Sequence, residues 1–221
     1  MWVKRVTIKD VARAAGVSYT TVSRALSGSS DIGEETRKRI LQISQEMGYS
    51  PNTVARSLVA QETKTIGLII SNITSPFTSE VTWYIEEQAW LHGYSLILCN
   101  SCSSVEKEQA AVELLTSRQV DGIIIHPADD QSFDRLFPYI STTPTVFINE
   151  DMGDLPTSYV TIDNYKGAWM GTEYLYSLGH REIVYFGRRH GKRSRMMRAQ
   201  GYSDACKHFG LTPRFIDYPY P

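Results

Sequence analysis

The sequence predicts two kinds of structure in one chain, a small three-helix module at the amino end and a longer α/β region built on parallel sheet. Between Thr7 and Met47 apolar residues recur only at helical spacing, whereas from Thr65 onward short runs rich in β-branched residues alternate with helical windows. Charge separates the same two regions. Residues 1–64 carry ten Lys/Arg against six Asp/Glu, a net +4, and residues 65–221 carry thirteen against eighteen, a net −5. A positive front module suits phosphates, and the acidic remainder shows no such preference. At 221 residues the chain suits a small module plus a larger one, and 42% hydrophobic with 21% charged residues excludes wholesale disorder.

In TIKDVARAAGVSYTTVSRAL (7–26), apolar residues at Ile8, Val11, Ala12, Ala14 and Ala15, then Val17, Val22, Ala25 and Leu26, predict helices over 8–15 and 18–26. Gly16 supplies the tight turn between them. Thr7 with Asp10 three residues on is a shortened capping box, and Ser18 can cap the second helix. The polar face of that helix is Ser18, Tyr19, Thr20, Thr21, Ser23 and Arg24, with no carboxylate. A helix that enters a DNA groove excludes Glu near phosphates and uses short hydroxyls, Tyr and Arg, so the pair reads as a helix-turn-helix. The bland alternative is a helical hairpin with a serine-rich surface.

A third helix is predicted over 34–47, ended by Gly48, with Glu34 and Glu35 in its first turn. Val11, Val22, Leu26, Ile40 and Ile43 can close a small core, too thin for much stability alone. After the break at Tyr49-Ser50-Pro51-Asn52, TVARSLVA (53–60) predicts a helix of barely two turns. It is either an ordinary linker or a hinge that orders on DNA, with Leu58 wedged between base steps of the minor groove.

The runs IGLIIS (66–71), SLILC (95–99), DGIIIH (121–126) and TVFIN (145–149) predict strands, with helices over 77–92, 105–118 and 131–140. Beyond Gly153–Pro156 follow a strand at 159–162, a helix at 165–178, a strand at 182–186, a helix near 195–209 and a strand at 214–216. This alternation predicts two α/β subdomains in tandem, with a ligand at the carboxyl ends of the strands. The expected boundaries are 1–50 for the headpiece, 51–64 for the hinge, 65–150 for the first subdomain and 151–221 for a partial second one.

With these motifs in place the chain resembles the LacI/GalR family of bacterial transcription repressors over its whole length. The motifs are TIKDVARAAGVSYTTVSRALSG, EETRKRI, GYSPNTVARSL, TIGLIISNITSPF, VDGIII, VTIDN, LGHREIVYFG and RAQGY. The resemblance implies periplasmic-binding-protein-like subdomains, the second incomplete, and a homodimer that reads operator DNA under control of a small, sugar-like effector. It implies that Tyr19, Thr20 and Arg24 read bases and that Ser18, Thr21 and Ser23 hold phosphates. Ile8 joins the DNA-binding set, and Asn52, Ala55 and Leu58 match the hinge. In the cleft, Ser75, Pro76 and Phe77 would stack on the effector and Arg198 would grip it, with His126, Asn149 and Asp163 as further candidates. Phe77 could equally pack in the core, and Asp163 could cap a helix. Gly33 stands where the family has a serine cap. The family chain continues for about another hundred residues, so this one reads as a truncated form that could bind DNA without responding to effector.

Other chemistries find little support. Cys99-Asn-Ser-Cys102 has metal spacing, yet the remaining cysteine is the distant Cys206, so no metal or cofactor is expected and a strand end with two buried thiols is. Gly187-Arg-Arg-His-Gly191-Lys192 departs from a phosphate loop in spacing and lacks Ser or Thr after the lysine, so the basic cluster up to Arg198 reads as a solvated loop plus one effector arginine. With no Gly-x-Ser-x-Gly elbow, an enzyme is not expected. A cytosolic solute-binding protein is the weaker alternative. The start MWVKRVTIKD lacks a signal peptide's apolar run and no segment approaches a membrane span of roughly 18 apolar residues, which predicts a cytoplasmic protein.

Overall fold

The computed structural model describes residues 6–50, 62–129 and 131–217. It divides into two compact units, residues 1–61 and 62–221. The proposed hinge residues Asn52, Ala55 and Leu58 lie outside the described residues.

The first unit holds helices α1 (Ile8–Ala15), α2 (Tyr19–Leu26) and α3 (Glu34–Glu46). The Thr7 backbone N–H and hydroxyl both donate to the Asp10 carboxylate, at 3.0 and 2.6 Å, fixing the start of α1. Gly16 ends it at φ +65°, the left-handed conformation that glycine adopts without strain. Ser18 Oγ accepts the Thr21 N–H at 3.1 Å and starts α2. Gly33 caps α3 without a side chain, and Glu34 and Glu35 answer the positive end of the helix dipole. Val11, Ala12, Ala15, Val22, Ala25 and Ile40 are buried, with Leu26 and Ile43 half-buried around them. Arg39 Nη2 donates to the Ala15 carbonyl at 2.9 Å and Arg37 Nη2 to that of Ser29 at 2.6 Å, so α3 braces both turns.

The second unit opens with strands β1 (Thr65–Ile70), β2 (Ser95–Asn100), β3 (Gly122–Ile125) and β4 (Thr145–Ile148), separated by α4 (Pro76–Leu91), α5 (Val105–Ser117) and α6 (Ser132–Ile140). The sheet is parallel throughout, in the order β2-β1-β3-β4-β5, where β5 is Ser158–Val160. Central β1 buries Leu68, Ile69 and Ile70 completely, whereas edge strands β2 and β5 are largely open. Strand β5 differs from the sequence expectation. The segment 159–162 reads as the opening of the second subdomain, but its strand pairs with β4, Phe147 opposite Tyr159. The Gly- and Pro-bearing stretch before it looks like a boundary, yet Met152 and Leu155 pack into the core of the first sheet.

After β5 come α7 (Asn164–Ser177), β6 (Val184–Phe186), α8 (Arg193–His208) and β7 (Arg214–Ile216). Strands β6 and β7 form a separate parallel pair over a core of Ile183, Tyr202 and Cys206. Tyr202 holds this part together. Its hydroxyl accepts the Arg214 N–H at 2.9 Å and can donate to the carbonyl of Ile183 at 2.8 Å or Arg214 at 3.0 Å.

Candidate functional site

Two surfaces collect the residues singled out from the sequence. On α2, Ser18, Tyr19, Thr20, Ser23 and Arg24 are exposed and Thr21 half-exposed, and the helix has no carboxylate of its own. Tyr19 shows 61% of its surface. Arg24 makes only a loose, exposed ion pair with Asp31 at 3.8 Å, which leaves its guanidinium available to a base edge. Ser18 and Thr21 hydroxyls lie 2.9 Å apart, so whichever donates leaves the other's proton for a phosphate. Ile8 stands apart from this set, half-buried against the headpiece core.

The second surface is a cleft of about 740 Å³ in the second unit, at the carboxyl ends of β1, β3 and β4 and beside the start of α8. In an open parallel sheet the strand-order reversal between β1 and β3 opens a crevice at this end, where ligands sit. Ser75, Pro76, Phe77, His126, Asn149 and Arg198 all line it. Ser75 and Pro76 begin α4, and Phe77 is 47% exposed on the cleft wall, not packed in the core. Asp163 does not line the cleft. Its Oδ1 accepts the Lys166 N–H at 2.8 Å and caps α7, which spends the carboxylate on helix termination. Its neighbour Asn164 takes the contact instead, accepting a hydrogen bond from Arg198 Nη1.

His126 is buried between two partners. Asn149 Nδ2 lies 3.1 Å from Nε2, and Ser71 Oγ lies 3.2 Å from Nδ1. An amide donor at Nε2 makes that nitrogen the acceptor and puts the proton on Nδ1, toward Ser71. Burial, helped by the Lys192 and Arg195 charges, holds the imidazole neutral down to about pH 3. Asn149 adopts φ +62°, a left-handed conformation that asparagine tolerates, and this turns its side chain from the end of β4 toward the histidine.

The stability consequence has a definite sign. The folded pKa of His126 lies below the ordinary histidine value, so the unfolded chain binds the extra proton. Stability is complete above about pH 6.5 and falls as the pH drops toward 3, by about 1.4 kcal/mol per pH unit where the difference is full. Urea unfolding between about pH 7 and 5, above the carboxylate range, is expected to show this slope in the wild type and not in His126→Gln. Equal slopes would place the acid sensitivity elsewhere.

Sequence reasoning missed several lining groups. Lys192 is buried and donates from Nζ to the Pro127 carbonyl at 2.5 Å, so the basic stretch is not merely a solvated loop. Burial pushes the lysine below its ordinary pKa, with Glu150 opposing that shift. Buried Glu150 accepts the Ser194 backbone N–H at 3.1 Å and its hydroxyl at 2.9 Å, and so supplies the anion at the amino end of α8. Arg188, Arg195 and Cys102 also reach the cleft. Two buried thiols were expected at the end of β2, but Cys99 is half-buried and Cys102 is exposed. Among the described residues no group of three His, Cys, Asp or Glu converges as a metal site. No helix among them is long and apolar enough to cross a membrane.

Comparison with known proteins covers both units. Residues 7–52 match the model of bacterial regulatory proteins of the lacI family. Residues 63–218 match the periplasmic binding proteins and sugar binding domain of LacI family. The HTH-type transcriptional repressor PurR of Pasteurella multocida (strain Pm70) is 36% identical over 207 residues, 93% of this chain and 62% of that protein. The HTH-type transcriptional regulator RegA of Clostridium saccharobutylicum is 39% identical over 182 residues, 81% of this chain and 54% of its own length. The crystal structure of the lac repressor dimer bound to operator and the anti-inducer ONPF superposes with a TM-score of 0.86 at 28% identity, covering 97% of this chain and 66% of that one. The chain thus spans about six-tenths of the length of its curated relatives. With both of its units matched in order, the chain belongs to the LacI family of bacterial regulatory proteins.

Proposed function

We propose that this chain acts as a sequence-specific, DNA-binding transcriptional regulator of the cytoplasm, a repressor whose operator affinity is set by a small, carbohydrate-like effector in the cleft. The observation that carries this reading is the exposed, carboxylate-free face of α2, because such a face serves a phosphate-lined groove and few other surfaces. Tyr19, Thr20 and Arg24 read base edges, and Ser18, Thr21 and Ser23 hold phosphates. Asn52, Ala55 and Leu58, which lie outside the described residues, are assigned the hinge role by the family resemblance, with Leu58 as the minor-groove wedge.

The active species is a homodimer, because one headpiece makes too few contacts and two joined headpieces multiply affinity through effective concentration. Trp83, Tyr84, Trp90 and Leu91, all exposed on one side of α4, offer apolar surface for such pairing. The effector acts by shifting the population of binding-competent dimers. PurR and RegA, by name a repressor and a regulator, support regulation over catalysis. A solute-binding role without DNA leaves the headpiece and its α2 surface without a purpose.

A gel shift against fragments of the gene's own upstream region tests the reading, with retention expected for a discrete fragment and weakening steeply with salt. Arg24→Ala is expected to cost about 1–3 kcal/mol of specific binding and to relax preference at one base position. Indifference of the wild-type chain to duplex DNA at low salt would overturn the proposal. An unchanged base preference in the variant would remove Arg24 from the reading set.

A further inference from the structure

The cleft is rich in hydrogen-bond donors and poor in acceptors. Arg188, Lys192, Arg195 and Arg198 line it, and Glu150 is the one carboxylate among the lining residues. Both Glu150 oxygens are already engaged by Ser194. Two further acceptors are occupied as well, since Asn72 Oδ1 accepts from the Thr74 N–H and hydroxyl, and His126 Nε2 from Asn149. His126 is neutral and offsets none of the positive charge.

The guanidinium of half-buried Arg195 has no hydrogen bond or ion pair among the described residues, and neither has that of Arg188 at the rim. Burial lowers the pKa of Arg195, and repulsion from Arg188 and Arg198 adds to it. Glu150 opposes that shift from a distance, without an ion pair. A guanidinium partly withdrawn from water, crowded by like charges and with no carboxylate in contact is costly in a stable fold unless something else pairs with it. A neutral polyhydroxylated molecule would bring donors of its own to a site that has little left to accept them. A phosphate would bring acceptor oxygens and negative charge together.

We infer that the effector of this cleft is an anion carrying a phosphate monoester, seated on Arg195 and Arg188, with its uncharged remainder toward Phe77 and Arg198. The inference rests on the proposed reading of the cleft as an effector site. It adds the chemical class of the ligand and two residues that select it. Lys192 spends one of its three N–H donors on the Pro127 carbonyl and adds positive charge behind the site.

The test uses the chain without DNA, so its outcome is independent of operator binding. Calorimetric titrations at matched ionic strength compare glucose and fructose with glucose 6-phosphate, fructose 1-phosphate and inorganic phosphate. At least one sugar phosphate is expected to bind about tenfold or more tightly than its parent sugar, which corresponds to about 1.4 kcal/mol. Arg195→Met should erase that margin while leaving thermal stability without ligand equal or higher, since it removes an unpaired charge. A lower melting temperature in this variant would show that Arg195 is structural, and Arg188→Gln then decides selectivity alone. Equal affinity for sugars and their phosphates, both weakened by Arg198→Ala, would retain the effector cleft and overturn the anion assignment. Binding of inorganic phosphate alone, unaffected by Arg195→Met and Arg188→Gln, would mark an adventitious ion only. Absence of binding by every phosphate offered would overturn the inference, and a retained gel shift would then leave the regulator reading standing.

Discussion

Glu108→Ala is expected to destabilise the second unit by about 3–5 kcal/mol, because it removes one partner from a buried, charged network. Glu108 has no solvent exposure. Its Oε1 accepts the Ala128 N–H at 2.6 Å, and its Oε2 accepts the Ser132 hydroxyl at 2.8 Å and Arg135 Nη2 at 3.1 Å. Alanine leaves the Ala128 N–H unpaired in the interior and leaves Arg135 with half-exposed Asp129 as its one remaining carboxylate, beside the Ser132 hydroxyl. Arg135 Nε already lacks a partner, so the guanidinium has little to fall back on. The loss reaches the cleft, because the segment held by Glu108 follows directly from His126 and from Pro127, whose carbonyl fixes Lys192. Glu108→Gln preserves the volume and one acceptor oxygen and should cost less, about 1–3 kcal/mol. Urea unfolding followed by tryptophan fluorescence checks both variants. A midpoint for Glu108→Ala equivalent to less than about 1 kcal/mol of loss would mean that water reaches the site and replaces the carboxylate.

The parts of the molecule that were legible in the sequence are those whose causes are local. Thr7 with Asp10, Gly16 and Ser18 each act within a few residues, and they locate α1 and α2 before any tertiary contact is known. The apolar runs that became β1 to β4 are equally local, most fully in β1, because a strand buried on both faces must be apolar at every position. Membership of a sheet is not local. Residues 158–160 read as a strand in isolation, but only pairing with β4 assigns them to the first sheet. The cleft shows the same limit more sharply. Lys192 meets Pro127 across 65 positions and Ser194 meets Glu150 across 44, and a run of Arg, His, Gly and Lys carries no periodicity that would announce burial. Arg198 was found only through the RAQGY motif, since spacing alone gives no reason to prefer it over Arg193 or Arg195.

That motif also contains the residue for which the smallest substitution is expected to have a large effect. Gly201→Ala should destabilise the packing of α7 on α8 by about 3 kcal/mol, near the upper end for an overpacked core. A Cβ added at Gly201 would lie 2.2 Å from the Tyr165 carbonyl oxygen and 2.9 Å from its carbon. Both atoms are backbone in the first turn of α7, so no rotamer relieves the clash and one helix must retreat. Gly67 provides the contrast. There the colliding atoms are the two δ-methyls of buried Leu115, at 2.5 and 2.8 Å, a side chain that can shift where backbone cannot, and Gly67→Ala should cost less, about 1–2 kcal/mol. Gly171, inside α7 with nothing within 4 Å of the added methyl, should gain up to about 1 kcal/mol as alanine. Trp169, with its ring 5.4 Å from that of His208 and 6.3 Å from that of Phe209, reports on this interface by fluorescence. If Gly201→Ala unfolds with the wild-type midpoint, the close approach of the helices is not required. If it loses stability as expected, effector binding should weaken with it, because Asn164, at the start of α7, holds Arg198, on α8, and the two meet only while the helices stay in place.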